Sequence, residues 1–158
     1  MANYSTEVEQ IYSSLSGQPP HTEEQTAKAK LTIELYLATF KYYDYARTRE
    51  LVDETYKQHS QFIGGQGQDS IIAASKALKA MATEIWVGPG EPYVKLNFKK
   101  ILVDGDHVVV QIFSEGWPSE IGGHVIDVFR LKDGKFVEHW DAIQEIKPET
   151  IKQGNSVF

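Results

Sequence analysis

An acid and a base lie two residues apart near the end of the chain, at His139 and Asp141, within the segment Phe136-Val-Glu-His-Trp-Asp-Ala-Ile143. The alternation of apolar and polar residues predicts a half-buried strand, on which residues two apart share a face. Asp is uncommon inside strands, and a buried carboxylate is costly unless it is paired. The spacing therefore indicates proton-transfer chemistry in a pocket. The alternative is a structural Asp141 bonded to a neighbouring His or Arg.

The turn before this strand decides whether a third ionisable group joins the pair. Lys132-Asp-Gly-Lys135 connects two predicted strands. A two-residue Asp-Gly loop would put Asp127 and Asp141 on opposite faces of the sheet, whereas a three-residue loop with Gly134 left-handed would put Asp127 opposite His139. We predict the three-residue loop, because it gathers apolar residues around the trio, namely Val125, Phe129, Val137 and Ile143. The other face would then hold His124, Arg130, Glu138, Trp140 and Gln144.

The composition of the chain excludes several classes of partner and chemistry. The 158 residues predict one domain. The formal net charge of -6, without a run of Lys or Arg, disfavours nucleic acid and anionic membranes as partners. There is no Cys, so disulfide and thiolate chemistry are excluded. Since no segment is apolar enough to span a bilayer and no signal peptide is evident, we expect a cytoplasmic protein.

The elements that would position the trio follow a helices-then-strands order. We predict an N-terminal arm over residues 1–22, a domain over 23–147 and a tail over 148–158. Helices are expected over 22–46, over 46–56 and from Asp69 to just before Gly88. Strands are expected over 93–103, 107–113, 122–131 and 136–146. This order argues for an α+β fold with the helices on one face of an antiparallel sheet.

Three motifs resemble one family. The segment from Asp127 to Gln144 is similar to the C-terminal signature of the SnoaL-like polyketide cyclases, in the nuclear-transport-factor-2-like, cystatin-like superfamily. Tyr56-Lys-Gln-His59 resembles that family's motif at the end of its second helix, and Gly105-Asp-His-Val-Val-Val110 resembles a third. Two departures are Ser60-Gln61, where relatives often have Asn-Pro, and Gln111, where they often have His.

The resemblance implies a cone-shaped α+β barrel, in which a curved antiparallel sheet wraps about three helices and leaves a deep pocket. It implies that Asp141 is the base that removes a proton beside a carbonyl group, after which the enolate closes a ring by aldol addition. No cofactor and no metal are implied, and a homodimer is expected. Asp127 would line the same pocket.

The candidate site combines both lines of reasoning. The catalytic candidates are Asp141, His139, Asp127 and His59. The candidates for binding a small apolar carbonyl compound are Tyr56, Phe62, Gln111, Phe129 and Trp86. Two alternatives stay open at this point. One is an isomerase, dehydratase or epoxide hydrolase on the same fold, which a water held between two carboxylates would favour. The other is a non-enzymatic binding module, which a plugged pocket or an ion-paired Asp141 would favour.

Overall fold

The computed structural model describes residues 4–158. The elements run in the order α1 (Ser5–Ser14), α2 (Glu23–Tyr36), α3 (Tyr45–Leu51), β1 (Val52–Gln58), α4 (Gln68–Ile85), β2 (Leu96–Asp104), β3 (His107–Glu115), β4 (Gly122–Lys132), β5 (Lys135–Glu145) and α5 (Pro148–Ile151). A π-helical turn, Leu37–Lys41, continues α2. No helix in the described range combines the length and apolar character needed to cross a membrane.

The central helix α2 is fixed at its start by sequence chemistry and along its length by burial. Thr22 caps it: its hydroxyl oxygen accepts from the Gln25 backbone N–H, and its own N–H donates to the Gln25 side-chain oxygen. Ile33, Leu35 and Tyr36 are buried against the sheet and the other helices. The helix therefore carries the Tyr36 phenol into the interior, toward β4.

The N-terminal helix α1 is held on the body by its apolar side. Val8 is buried in the core, and Ile11, Tyr12 and Leu15 pack against it. Their spacing of three, one and three residues is that of one side of a helix, which ends just before Leu15. The first three residues of the predicted arm lie outside the described range, and the domain bounds 1–22, 23–147 and 148–158 stay predictions.

The sheet has five strands in the order β1-β5-β4-β3-β2. Strands β2 to β5 pair antiparallel, as predicted, but β1 joins the edge of β5 in parallel. The predicted helix over 46–56 is wrong in its second half, because α3 ends at Leu51 and a strand follows. Val52, Tyr56 and Gln58 are buried on one face of that strand, which is the period of a strand. The fold is an α+β cone with a mixed sheet.

The β4–β5 hairpin does not have the predicted three-residue loop. Asp133 and Gly134 both have positive φ, 51° and 76°, which is the two-residue turn that suits the twist of a hairpin. The register then shifts: Leu131 pairs with Phe136, but Arg130 pairs with Glu138. Val137 is therefore the extra residue of a β-bulge.

The two-residue turn alone would put Asp127 and Asp141 on opposite faces of the sheet, and the bulge brings them back to the same face. Beyond it Asp127 pairs directly with Asp141, and Phe129 pairs with His139. The prediction that Asp127, His139 and Asp141 share a face is confirmed, by a different device from the one expected. Val137 does not join the inner face as predicted, because the bulge gives that place to Phe136, which is fully buried.

Candidate active site

The inner face of the β4–β5 hairpin opens into a pocket of about 130 Å³ between the sheet and the helices. Most of its lining is apolar and comes from α4, from the loop after β1 and from the sheet. Ile71, Ala77 and Leu78 of α4 face Leu96, Ile112, Val125 and Ile143 of the sheet, with Phe62 and Trp117 also in the lining. Five polar residues share this space: Tyr36, Gln58, Asp127, His139 and Asp141. An apolar pocket with a few converging polar groups is typical of a small-molecule site.

Asp127 is a buried carboxyl group with both oxygens engaged. Oδ1 lies 3.0 Å from His139 Nε2, and Oδ2 accepts a hydrogen bond from the Tyr36 hydroxyl. Asp127 is 6% exposed and His139 is 5% exposed. Burial first, and then the charge of Asp127, raise the pKa of the Tyr36 phenol well above its ordinary value of 10. Tyr36 therefore stays protonated and serves as a permanent donor to Asp127.

Gln58 fixes which nitrogen of His139 carries a proton. Its Oε1 accepts from the Ser60 backbone N–H at 2.9 Å and lies 2.8 Å from His139 Nδ1. A backbone N–H can only donate, so the atom it meets is the amide oxygen, and Nδ1 must donate to the same oxygen. A second proton then lies between Nε2 and Asp127, because two lone pairs would repel each other at that distance. The Asp127–His139 pair is neutral overall wherever that proton sits.

Asp141 is the carboxyl group of the trio that has no such partner. No residue in the described range 4–158 makes a hydrogen bond or an ion pair with its side chain, and it is only half-buried. One carboxyl oxygen of Asp127, one ring nitrogen of His139 and one carboxyl oxygen of Asp141 all lie within 4.8 Å of one another. Asp141 thus lines the pocket with lone pairs that are free to accept a proton from a bound molecule.

The remaining predicted residues divide between the pocket and other places. Phe62 and Phe129 line the pocket. Tyr56 lies buried on the same face of β1 as Gln58, outside the lining, and its hydroxyl makes no hydrogen bond with any described residue. Burial and then the charge of Asp127 raise the pKa of its phenol, while the Gln58 side chain acts in the opposite direction.

Three predicted residues do not reach the pocket. His59 follows Gln58 along the chain, so it points to the outer face, where it stacks on Trp140 with ring centroids 5.0 Å apart. Gln111 alternates with buried neighbours on β3 and contacts His124 on the outer face, at 3.0 Å. Trp86 follows α4 and packs on Tyr93 instead.

Two polar residues of the site were not predicted in the roles that the structure gives them. Tyr36 is not among the candidates drawn from the sequence, because no local signal links it to Asp127, 91 residues away. Gln58 stands inside the quoted Tyr56-Lys-Gln-His59 motif. The strand period would have placed it on the face of Tyr56, but the motif was assigned to the end of a helix.

Comparisons with known proteins agree with this fold. The family model for the SnoaL-like domain matches residues 33–139. A candidate polyketide cyclase from Bacillus cereus superposes with a TM-score of 0.61 at 19% identity, covering 88% of this chain and 87% of its own. A candidate SnoaL-like polyketide cyclase from Jannaschia gives 0.59 at 17% identity, covering 79% and 90%.

A candidate isomerase of the SnoaL-like family from Agrobacterium tumefaciens gives a TM-score of 0.55 at 18% identity, covering 76% of this chain and 99% of its own. At these identities the three structures show a shared fold and no more. No curated protein is significantly similar to the chain.

Proposed function

The chain belongs to the SnoaL-like domain family, and from that premise we propose that it is an enzyme of the polyketide-cyclase type. The reaction begins when a proton leaves the carbon beside a carbonyl group of a small apolar substrate. No cofactor is required, because the carbonyl oxygen takes up the electron pair. The observation that supports this most is Asp141, an unpaired carboxyl group in an apolar pocket beside the Asp127–His139 pair.

Asp141 is a better base than Asp127 for a reason of geometry. A base needs a lone pair directed at the proton that it removes. Both oxygens of Asp127 are already hydrogen-bonded, to His139 and Tyr36, whereas Asp141 has no partner among the described residues. In the proposed step the C–H bond breaks, the proton passes to an Asp141 oxygen, and the electron pair moves to the carbonyl oxygen as an enolate.

The Asp127–His139 pair serves the second half of the reaction. The enolate carbon attacks a second carbonyl group of the same substrate, and the new alkoxide needs a proton. The shared proton lies between His139 Nε2 and Asp127 Oδ1, and one nitrogen or oxygen atom of each of Asp127, His139 and Asp141 lies within 4.8 Å of the others. Proton exchange between the two carboxyl groups then resets the site without a cofactor. Named relatives of this fold include candidate cyclases and a candidate isomerase, and both reaction classes can start from the same enolate.

The test is hydrogen–deuterium exchange at the carbon beside the carbonyl of a ring-sized ketone, cyclohexanone, followed by proton NMR in D₂O. Asp141→Asn keeps the size and removes the base. We expect the catalysed exchange rate to fall about 10²–10⁴-fold, the usual contribution of a general base. Asp133→Asn is the matched control, because this exposed turn residue lies on the same hairpin and Asn tolerates its positive φ. Undiminished exchange by a folded Asp141→Asn protein removes Asp141 from this role.

A hydration or hydrolysis reaction is the second candidate, and one observation favours it. Asp127 and Asp141 face each other directly across β4 and β5, with oxygens within 4.8 Å. Two hydrogen bonds of about 2.7 Å each could hold a water between them. Incorporation of ¹⁸O from labelled water into product, with no exchange on cyclohexanone, would assign the pocket to that class.

A further inference from the structure

We propose that the side-chain amide of Gln58 donates a hydrogen bond to the carbonyl oxygen of the substrate, and that the substrate is an uncharged ketone about one ring in size. This inference rests on the proposed function, since it supplies the group that stabilises the enolate formed by Asp141. It assigns a catalytic role to a residue outside the acid–base trio. It also restricts the class of molecule that the pocket accepts.

The orientation of the Gln58 amide is fixed by its neighbours. Oε1 is held by the Ser60 N–H and by His139 Nδ1. The Gln58 backbone is clamped at both polar groups, because Gln66 Oε1 accepts from its N–H and Gln66 Nε2 donates to its carbonyl oxygen, each at 2.9 Å. With the oxygen and the backbone both held, the position of the Nε2 group is fixed as well.

The Nε2 group is buried and has no acceptor in the described part of the chain. Gln58 is only 5% exposed and belongs to the pocket lining. A buried donor without a partner costs free energy, and such exceptions call for an explanation such as a ligand. A bound carbonyl oxygen would satisfy it. The competing partner is the Tyr56 hydroxyl, which also lacks a well-formed hydrogen bond but lies close enough to the Gln58 side chain for a polar contact between them to act against the rise in its pKa.

The charge and size of the pocket define the substrate class. In the lining the Asp127–His139 pair is neutral overall, Asp141 adds a carboxyl group, and there is no Lys or Arg. An anionic substrate would therefore meet like charge without a compensating cation in a partly desolvated space. The volume of about 130 Å³ is close to that of cavities of roughly 150 Å³ that bind a benzene-sized molecule. A neutral ring ketone satisfies both conditions.

The chemical benefit of this donor comes when the proton leaves. As Asp141 takes the proton, negative charge develops on the carbonyl oxygen, and a donor already in place stabilises it without rearrangement. Loss of one such donor typically lowers the rate about 10²–10³-fold. No covalent bond to Gln58 forms, and its protons stay on the nitrogen throughout.

The experiment uses cyclohexanone labelled with ¹³C at the carbonyl and compares it with methylenecyclohexane, which has the same shape without the oxygen. Infrared difference spectra of the bound ketone report hydrogen bonds to its oxygen directly. We expect the C=O stretch to move to lower frequency in the wild type and to lose that shift in Gln58→Met. We also expect the wild type to prefer the ketone over the olefin by about tenfold, and the variant to lose this preference.

Gln10→Met is the matched control, since it makes the same exchange at an exposed position of α1 that does not line the pocket. It should keep both the frequency shift and the preference. Unchanged affinity of Gln58→Met for methylenecyclohexane shows that the pocket itself is intact. In the wild type, ¹⁵N-labelled glutamine NMR gives a readout without any substitution, because the Gln58 side-chain resonances should shift with the ketone and not with the olefin.

Three results would overturn the proposal: no binding of cyclohexanone at millimolar concentration, equal affinity for ketone and olefin in the wild type, or an unshifted C=O stretch. The last would mean that Gln58 is satisfied by Tyr56 instead. Failure of the proposed base is distinguishable, since Asp141→Asn would then exchange protons normally while the infrared shift persists. If both proposals hold, Asp141→Asn loses exchange but keeps the shift, and Gln58→Met loses the shift and most of the exchange.

Discussion

The two faces of the β4–β5 hairpin carry the same kinds of groups in opposite settings. The inner face has Asp127, His139 and Asp141, in an apolar pocket. The outer face has Glu138, which accepts from His59 Nε2 at 2.9 Å and from the Arg130 guanidinium at 2.7 and 2.9 Å. On the outer face one acid meets a cation and an imidazole near solvent. On the inner face there are two acids and one imidazole: His139 pairs with Asp127, and Asp141 has no partner among the described residues.

This difference predicts how strongly the stability of the protein depends on the groups of each face. The outer pair contributes little, because water competes for its two donors: the His59 side chain is 44% exposed and that of Arg130 is 30% exposed, although that of Glu138 is only 13% exposed. A buried pair contributes little net stability either. Removing one of its partners is costly, however, because the remaining charge is then buried without water or a counter-charge. The inner face should therefore respond strongly to single substitutions and the outer face weakly, although both contain a His beside an acid.

The largest stability difference is expected between the two histidines. His139→Leu leaves Asp127 buried with only the Tyr36 hydroxyl, and we expect the free energy of unfolding to fall by about 3–5 kcal/mol. His59→Leu, on the outer face, should cost no more than about 1 kcal/mol. Urea denaturation at pH 7 measures both. Equal losses of unfolding free energy in the two variants would contradict the proposed difference in burial between the two faces.

A smaller effect is expected from the donor on the other side of Asp127. Tyr36→Phe keeps the ring, which packs edge-on against Phe98 and Phe129, and removes only the hydroxyl. One oxygen of a buried carboxyl group then loses its partner, which should cost about 1–3 kcal/mol. The same denaturation experiment at pH 7 measures the loss, and a neutral or stabilising result would contradict the hydrogen bond.

Tyr36 also predicts a change at high pH. Its pKa is raised in the folded protein by burial and by Asp127, while in the unfolded chain it ionises near pH 10. The neutral phenol is thus favoured by folding, its contribution is complete below about pH 10, and stability falls as the pH rises above that value. Tyr56 acts in the same direction. Tyr36→Phe should therefore reduce the alkaline decline without abolishing it.

The inner face also shows how far the sequence predicts such a site. The strand period and the spacing of His139 and Asp141 were enough to place them together, because side-chain direction in a strand is a local property. The shared face of Asp127 was predicted from the wrong turn. Both the true two-residue turn and the bulge at Val137 are needed to obtain it, and a bulge has no sequence mark as clear as Asp-Gly.

The predictions from the sequence were wrong where a local pattern is compatible with both a helix and a strand. The segment after Leu51 was predicted as helix, and in the structure it pairs with β5 across about 80 residues. That tertiary pairing puts Gln58 on the inner face and His59 on the outer face, whereas His59, and not Gln58, was predicted from the sequence as a candidate for the pocket. Tyr36 needed knowledge of a contact 91 residues distant. The fold class depended on element order, which the sequence does carry.

The smallest effect should come from the outer acid, and its pH dependence makes it a sharp test of the comparison. Hydrogen bonds from His59 and then Arg130 lower the pKa of Glu138. A lowered pKa means that the charged form is favoured by folding, so the contribution is present above the unfolded value of about 4.3 and is lost as the pH falls below it. Glu138→Gln should cost no more than about 1 kcal/mol at pH 7.

The difference between the wild type and Glu138→Gln should shrink as the pH falls below about 4.3, because the protonated acid and the amide resemble each other. Added salt should also reduce it, since the pair lies near solvent. His139→Leu should keep most of its cost at high salt, because the inner pair is shielded from water. If salt reduced both costs alike, the inner face would be open to solvent, and Asp141 would not act in a dry pocket.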